Sequence, residues 1–427
     1  MNVNVEKQSN SMVKLTIEIP VEELQPYLQK TAARLSEGMN IPGFRQGKAP
    51  YAVVVQRIGE PALYQEAAED IVSETYPKAV LEQKLEAIGR PQIDLAKVAP
   101  GNPFIYTATV SLLPEITLGD YSTLKAKRKE IKIDESEISN TILQLQKMRA
   151  KESRVDRPAQ KGDKVEVDVK ISLDNVPVDD GITKNHPMVL GEGNFVPGLE
   201  DQLVGLKTGE EKKFPLTYPK NYFRKNLAGK KVDCAVKCNS VFQIELPPVD
   251  GDFLQSLGSF KTRQDLEKRI ADNLELEARE RENQRFELEM LNEIVESSRF
   301  GEIPDVLVDS ELNRMIDELR GNIQRQGMEW EKYLEQLKKS EDEVKKDFRD
   351  QASKRIKSAL VLRAIRLKEH LIVSSDDIDS ELEKQKEQYK DDLETYNKVD
   401  APEYRDRLEE ILLNRKVFEF LADRSEK

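Results

Sequence analysis

Apolar and polar residues alternate strictly through Met12-Val13-Lys14-Leu15-Thr16-Ile17-Glu18-Ile19. Successive side chains of an extended chain point to opposite faces, so this run predicts a half-buried strand. From Val21 the period lengthens, and Leu24, Leu28 and Ala32 fall on one face of a predicted helix. Glycine and proline crowd residues 40–50, which read as a loop. A second helical region opens near Tyr51, carries Val54, Ile58 and Leu63, and runs through Ile71 and Ala79 to Ile88. Ile93 and the string Phe104-Ile105-Tyr106-Thr107-Ala108-Thr109-Val110 predict further strands. Residues 1–112 therefore read as an α+β domain.

The pattern then changes three times. Residues 113–157 set Ile138, Ile142, Leu145 and Met148 among charged positions, a helical connector. Residues 158–246 return to alternation, as in Val165-Glu166-Val167-Asp168-Val169, with turn residues every few positions and a closing strand over 232–241. Pro247-Pro248 marks a boundary, after which residues 247–427 read as helical. Thr262 and Asp265 have the spacing of a helix start signal. Leu266, Ile270 and Leu274 follow on one face, then Phe286, Met290 and Ile294. After Ile303-Pro304 the next proline is Pro402, so long uninterrupted helices are expected between them. No heptad register lasts three or four repeats, which favours antiparallel helices forming elongated arms over a coiled-coil rod. The fold class is α+β and multidomain.

Composition sharpens this picture. Charged residues make up 34% and hydrophobic residues 38% of the 427. An ordinary soluble domain carries about 25% charge, so the excess fits slender elements with much surface and little core. No stretch nears the ~20 apolar residues of a membrane-spanning helix. Met1-Asn2-Val3-Asn4-Val5-Glu6-Lys7 lacks the basic start and apolar core of a secretory leader. A cytoplasmic protein without a membrane partner is expected. The net charge of −12 argues against polyanion binding over the whole surface, yet residues 1–112 are nearly neutral, with 11 basic and 13 acidic side chains.

Candidate chemistry is sparse. Cys234 and Cys238 have neither zinc nor redox spacing, and His186 and His370 stand apart from each other. G-x-S-x-G, P-loop and H-E-x-x-H strings are absent. Gly191-Glu192-Gly193 lacks the third glycine of a dinucleotide fingerprint. Hydrolase, kinase and dehydrogenase chemistry lose their usual supports, and no metal or other cofactor is expected.

The most informative octapeptide is Gly43-Phe44-Arg45-Gln46-Gly47-Lys48-Ala49-Pro50. Two glycines permit positive φ and a tight excursion, and Pro50 stiffens the exit into the next helix. Phe44 then stands at an exposed tip beside a planar cation, Arg45, and a point charge, Lys48. A helix-hairpin turn with incidental charges is the alternative, but an aromatic between glycines has little core to enter. Such a tip suits an anionic, partly apolar surface.

The string G-F-R-x-G-K-x-P is the ribosome-docking signature of bacterial trigger factors, and the chain resembles that family at every fixed position and in the order of its zones. The resemblance implies an ATP-independent chaperone beside the exit tunnel of the large ribosomal subunit. It would hold nascent and unfolded polypeptides and assist their folding and export. Phe44, Arg45 and Lys48 are then expected to contact the exit-tunnel protein and adjoining ribosomal RNA, with Gly43, Gly47 and Pro50 shaping the loop. The implied location is cytoplasmic and partly ribosome-bound. The state off the ribosome stays open, a homodimer among the alternatives.

The middle zone resembles FKBP-type prolyl isomerases. The similarity rests on Gly162-Asp163-Lys164-Val165, Asn194-Phe195-Val196-Pro197-Gly198-Leu199-Glu200, Gly205-Leu206-Lys207-Thr208-Gly209-Glu210 and Tyr218-Pro219-Lys220-Asn221-Tyr222. The expected order is an α+β ribosome-docking domain (1–112), a helical connector (113–157), an FKBP-like β-rich domain (158–246) and an elongated all-helical chaperone domain (247–427). Isomerisation needs no nucleophile. Its barrier of ~18–20 kcal/mol is amide resonance, which falls when the twisted amide sits in a dry apolar pocket. The resemblance implies Phe195, Val196, Tyr222 and Asp179 as its residues. Several aromatic walls are missing: Val169, Val178, Leu199 and Cys234 stand where the family has aromatics, and Ile171 where it has glycine. Real catalysis and a fold kept with a weakened pocket both fit, and activity weak by family standards is expected.

In the helical zone Met315, Ile323, Met328, Trp330 and Tyr333 are scattered over polar sequence, expected as exposed apolar points that hold a client weakly. Three functions stay in view. The first is a holdase on ribosomes, the second a protein that is primarily a prolyl isomerase delivered by its flanking domains. The third is a helical adaptor without client activity.

Overall fold

Asn2-Val3-Asn4-Val5 is a short alternation, and it forms the first strand, β1 (Asn2–Lys7), antiparallel to β2 (Met12–Ile19) with Val3 opposite Ile17 and Val5 opposite Leu15. The computed structural model describes residues 1–8, 11–173, 176–193, 196, 198–220, 222, 227–390, 392–399 and 401–425. They pack as two units, Met1–Arg128 with Asn283–Lys427, and Lys129–Glu282.

In the first unit, α1 (Val21–Gly38) buries Leu24, Leu28 and Ala32, the face its spacing predicts. The helical region expected from Tyr51 to Ile88 consists of two helices, α2 (Tyr51–Ile58) and α3 (Glu60–Glu82), and ends before Ile88. Gly59, at φ +85, turns the chain between them, and Pro61 sits in the first turn of α3. Ile88 belongs to a strand, β3 (Ala87–Lys97), reached through Lys84 at φ +52. With β4 (Phe104–Leu112) the sheet runs β1-β2-β4-β3, all antiparallel. Leu15, Ile17, Phe104 and Tyr106 from its strands meet Leu24, Leu63 and Ile71 from the helices in one core.

The stretch 113–157 is less helical than expected. A two-residue strand, β5 (Ile116–Thr117), opens it, and α4 (Glu135–Met148) is its one helix among the described residues. Tyr121 and Ala126 lie in irregular chain and are buried against Phe286, Met290, Val361 and Val417. Tertiary packing, not helical periodicity, accounts for those apolar positions.

The second unit holds β6 (Lys151–Arg154), β7 (Lys164–Leu173), β8 (Val176–Val189), α5 (Leu199–Leu203), β9 (Glu211–Thr217) and β10 (Lys231–Glu245). The long β10 is central: β7 flanks one side, β6 and β9 divide the other, and β8 lies outside β7. Its alternate inward residues Val232, Cys234, Val236 and Cys238 enter the core. Outside the sheet, α6 (Gly251–Leu257) and the first turns of α7 (Arg263–Ser297) pack Phe253, Leu254, Leu266 and Ile270 on Ile142 of α4. The predicted start signal is real: Thr262 N–H donates to Asp265 at 2.9 Å, and Asp265 N–H to Thr262 Oγ1 at 3.1 Å.

A two-residue strand, β11 (Arg299–Phe300), pairs with β5 and interrupts the helical zone. Then come α8 (Asp305–Arg325), α9 (Trp330–Leu337), α10 (Glu341–Lys368), α11 (Ser375–Gln388), α12 (Leu393–Val399) and α13 (Pro402–Ser425). The expected long helices are present in α8 and α10, and the breaks between the helices come without proline. Gly327, Lys338 and His370 take positive φ, and Ser340 with Glu343 and Ser374 with Asp377 form capping boxes that restart the helix. Val308, Leu312 and Met315 of α8 interlock with Ala352, Ile356 and Leu360 of α10. Met315, Ile323 and Trp330, expected as exposed, are buried, and Met328 and Tyr333 are half-buried. Their spacing serves helix pairing. The large apolar residues that do face outward include Leu276, Leu288, Leu367 and Ile372.

Candidate docking loop and candidate isomerase pocket

The loop after α1 is fastened at its base. Ile41 is buried in the core of the sheet domain, with Met39, Ala49 and Tyr51 packed beside it, and Gly47 N–H donates to Ser36 O at 3.1 Å. Two successive turns lie between. Phe44 N–H closes the first on Ile41 O at 3.1 Å and Lys48 N–H the second on Arg45 O at 2.9 Å. The third residue of each is glycine, Gly43 at φ +88 and Gly47 at φ +74, where a type II turn demands it. Pro50 follows directly before α2, and its carbonyl accepts the first helical N–H groups, those of Val53 and Val54.

This geometry pushes three side chains outward. Phe44 is 42% exposed, although burial of a phenyl ring is worth about 1.5–3 kcal/mol. Arg45 and Lys48 are exposed too, and neither has an acidic partner among the described residues. All six predicted loop residues thus come together: two glycines and a proline that shape it, and an aromatic with two cations that face out. Chemically it offers a rigidly based cationic tip.

In the middle domain Val196 is 6% exposed and its carbonyl accepts from Leu199 N–H at 3.1 Å, which brings it to the start of α5. Tyr222 is half-buried and meets the ring of Tyr218 edge-on, centroids 4.6 Å apart at 61°. Phe195 lies outside the described residues, as does the side chain of Asp179, a β8 residue. The positions read as lost aromatic walls are all part of one core: Val169, Leu199 and Cys234 are buried and Val178 packs against them, with Ile171, read in place of a glycine, buried beside them. Two aromatics that the reading did not assign to the pocket, Phe214 and Tyr218, lie in the same cluster. The alternation Phe214-Pro215-Leu216-Thr217 carries the signal for the first. Burial pushes the Cys234 thiol up to about 11, with Asp233 adding to it, and burial raises Cys238 as well. Both are core thiols, not nucleophiles. No cluster of His, Cys, Asp and Glu among the described residues could hold a metal.

The strand-rich middle and its apolar core define a chain that contains an FKBP-type domain: residues 155–247 match the family of FKBP-type peptidyl-prolyl cis-trans isomerases. Residues 1–145 match bacterial trigger factor protein and residues 262–423 its C-terminus. The trigger factor of Caldicellulosiruptor saccharolyticus is 30% identical over 99% of this chain and 96% of its own length. That of Clostridium tetani is 30% identical over 100% and 99%, and that of Ligilactobacillus salivarius 34% over 99% and 97%. The chain belongs to the trigger factor family. No described helix is long and apolar enough to cross a membrane.

Proposed function

We propose that this chain docks on the large ribosomal subunit at its exit tunnel and holds nascent and unfolded polypeptides there without ATP. The observation that carries the reading is the tip at 43–50. A buried base fixes it, glycines at positive φ shape it, and Phe44, Arg45 and Lys48 face out of it. A ribosomal protein surface beside RNA phosphates is the anionic, partly apolar partner that such a tip fits. Residues 1–112 would dock, 113–157 connect, 158–246 isomerise and 247–427 cradle clients. Exposed leucines and isoleucines, and a cavity of about 430 Å³ edged by Arg320, Gln324, Met328 and Trp330, offer weak apolar contact. The protein is placed in the cytoplasm, partly on ribosomes, with a homodimer as an alternative state off them. Co-sedimentation with ribosomes tests this. The Phe44→Ala/Arg45→Ala/Lys48→Ala variant should stop pelleting while its melting curve stays unchanged; unaltered pelleting refutes the docking role.

A second activity, prolyl isomerisation, is supported by Val196 and the Tyr218–Tyr222 pair. Val169, Val178 and Leu199 stand where aromatic walls would exclude water and grip the twisted amide, so its rate is low for the family. Proline-limited refolding of a test protein by the full chain measures it, and a rate typical of FKBP enzymes contradicts the reading. Should that rate be high and aggregation of a proline-free client go unsuppressed, the chain is primarily an isomerase.

A further inference from the structure

The string Gly191-Glu192-Gly193 has a use that a nucleotide loop would not give it. Both glycines take positive φ, +100 and +70. Their backbone N–H groups converge on one atom, Oε2 of Glu200, at 2.8 Å from Gly191 and 3.0 Å from Gly193. Glu200 sits in α5 between the fully buried Leu199 and Leu203 and is itself 8% exposed. Its other oxygen, Oε1, is buried and meets no donor among the described residues. A buried carboxylate oxygen left without a donor costs free energy. An apolar residue packed in its place would serve stability as well or better.

The position of the carboxylate explains what it gives in return. Leu199 N–H is bonded to Val196 O at 3.1 Å, so Val196 and Glu200 belong to one turn. The bonds from Gly191 and Gly193 tie both glycines to that same turn. The front is tied a second time: Leu190 N–H donates to Asp163 O at 2.9 Å and Gly162 N–H to Leu190 O at 2.8 Å. Lys147 adds a 2.6 Å bond to Glu192.

We propose that Glu200 is a positioning residue for prolyl isomerisation: its carboxylate clamps Gly191 and Gly193 onto the turn that carries Val196 and thereby holds Val196 where it meets the substrate. The inference rests on the isomerase reading above. Glu200 touches no reacting atom. It holds a pocket wall in place, which matters more where aromatic walls are few and the remaining surface must be well aimed.

Two substitutions in the full chain test it. Glu200→Leu keeps the bulk and removes both acceptors, whereas Glu200→Gln keeps one oxygen able to receive both N–H groups. With a short proline peptide, Glu200→Leu should lose about tenfold in kcat/KM and Glu200→Gln stay within about threefold of the parent. Exchange of the Gly191 and Gly193 amide protons should quicken about 100-fold in the Leu variant only. Gly193→Ala approaches the clamp from its other side; the added methyl meets open space and bears only the strain of φ +70, so the fold is kept while the amide is misdirected. It should lose activity even if the Leu variant does not fold. An active parent with unchanged kcat/KM in Gly193→Ala and in folded Glu200→Leu overturns the clamp and leaves the isomerase reading standing. An inactive parent fells both.

Discussion

Tyr106 donates a 2.8 Å hydrogen bond to the hydroxyl of Thr75, both side chains buried where β4 meets α3. The direction follows from the other bond of Thr75, whose own proton is spent on Ile71 O at 2.6 Å. This pair joins the sheet to the helix that supports the docking loop's domain. Tyr106→Phe removes one accepted bond from Thr75 and leaves its donated one intact. A loss of about 1 kcal/mol is expected, read as a lower urea midpoint with unchanged slope. No change would mean that water replaces the phenol.

The same burial gives a pH signature. It pushes Tyr106 up to about 12, whereas an unfolded tyrosine titrates near pH ~10. The folded state therefore keeps the proton longer. The stability this contributes is complete below pH ~10 and is lost as pH rises through the folded value of about 12. Urea midpoints between pH ~9 and ~12 should fall more steeply in the parent than in Tyr106→Phe, and parallel curves would assign the alkaline loss elsewhere.

Gly47 and Gly43 should differ on substitution. A Cβ at Gly47 meets Glu37 Cγ at 2.9 Å besides the strain of φ +74, whereas one at Gly43 meets open space and bears only the strain of φ +88. A left-handed non-glycine residue costs about 1–2 kcal/mol. Gly47→Ala should therefore lower both the melting temperature and ribosome pelleting more than Gly43→Ala does. Equal effects would show that Glu37 moves aside at no cost.

The two cysteines supply a reactivity test. With Cys234 pushed up to about 11 and Cys238 also raised by burial, neither forms the thiolate that attacks disulfide reagents near neutral pH. In native protein at pH ~8 a coloured aromatic disulfide should release no thiolate dye, and in denaturant it should label both. Rapid native labelling would mean that β10 opens.

The sequence disclosed the shape of the 43–50 tip almost whole, because glycine, proline and an aromatic in one octapeptide constrain the backbone locally. It disclosed the sheet strands β2, β4 and β7 for the same reason: alternation is a local property. It hid what distant contacts decide. Met315 and Trp330 stand in polar surroundings along the chain, yet Ala352, Ile356 and Leu360 of α10 join Met315 in one core, and Ile316 of α8 and Val344 of α10 join Trp330 in another. Helix ends at Lys338 and His370 carry no breaker residue, and only their positive φ betrays them. Tyr121 lies in irregular backbone that no periodicity marks. Glu200 reads as one more charge in a charged chain until Gly191 and Gly193 are seen to face it.

Tyr121 also bears on how the chain is made. Its hydroxyl donates to Glu369 at 2.7 Å across 248 positions, and Ser425 Oγ reaches Ala126 O at 2.6 Å across 299. The core of the sheet domain, by contrast, draws on residues up to Ala108 alone. Synthesis therefore delivers the two at different times. The 43–50 tip has its supporting core within about the first quarter of translation, while the strip around Tyr121 waits for Val417 and Leu421. On the docking reading proposed above, a chain halted between these points would carry a finished address and an unfinished body, so premature termination would yield competitors for the same docking place and not merely inert fragments.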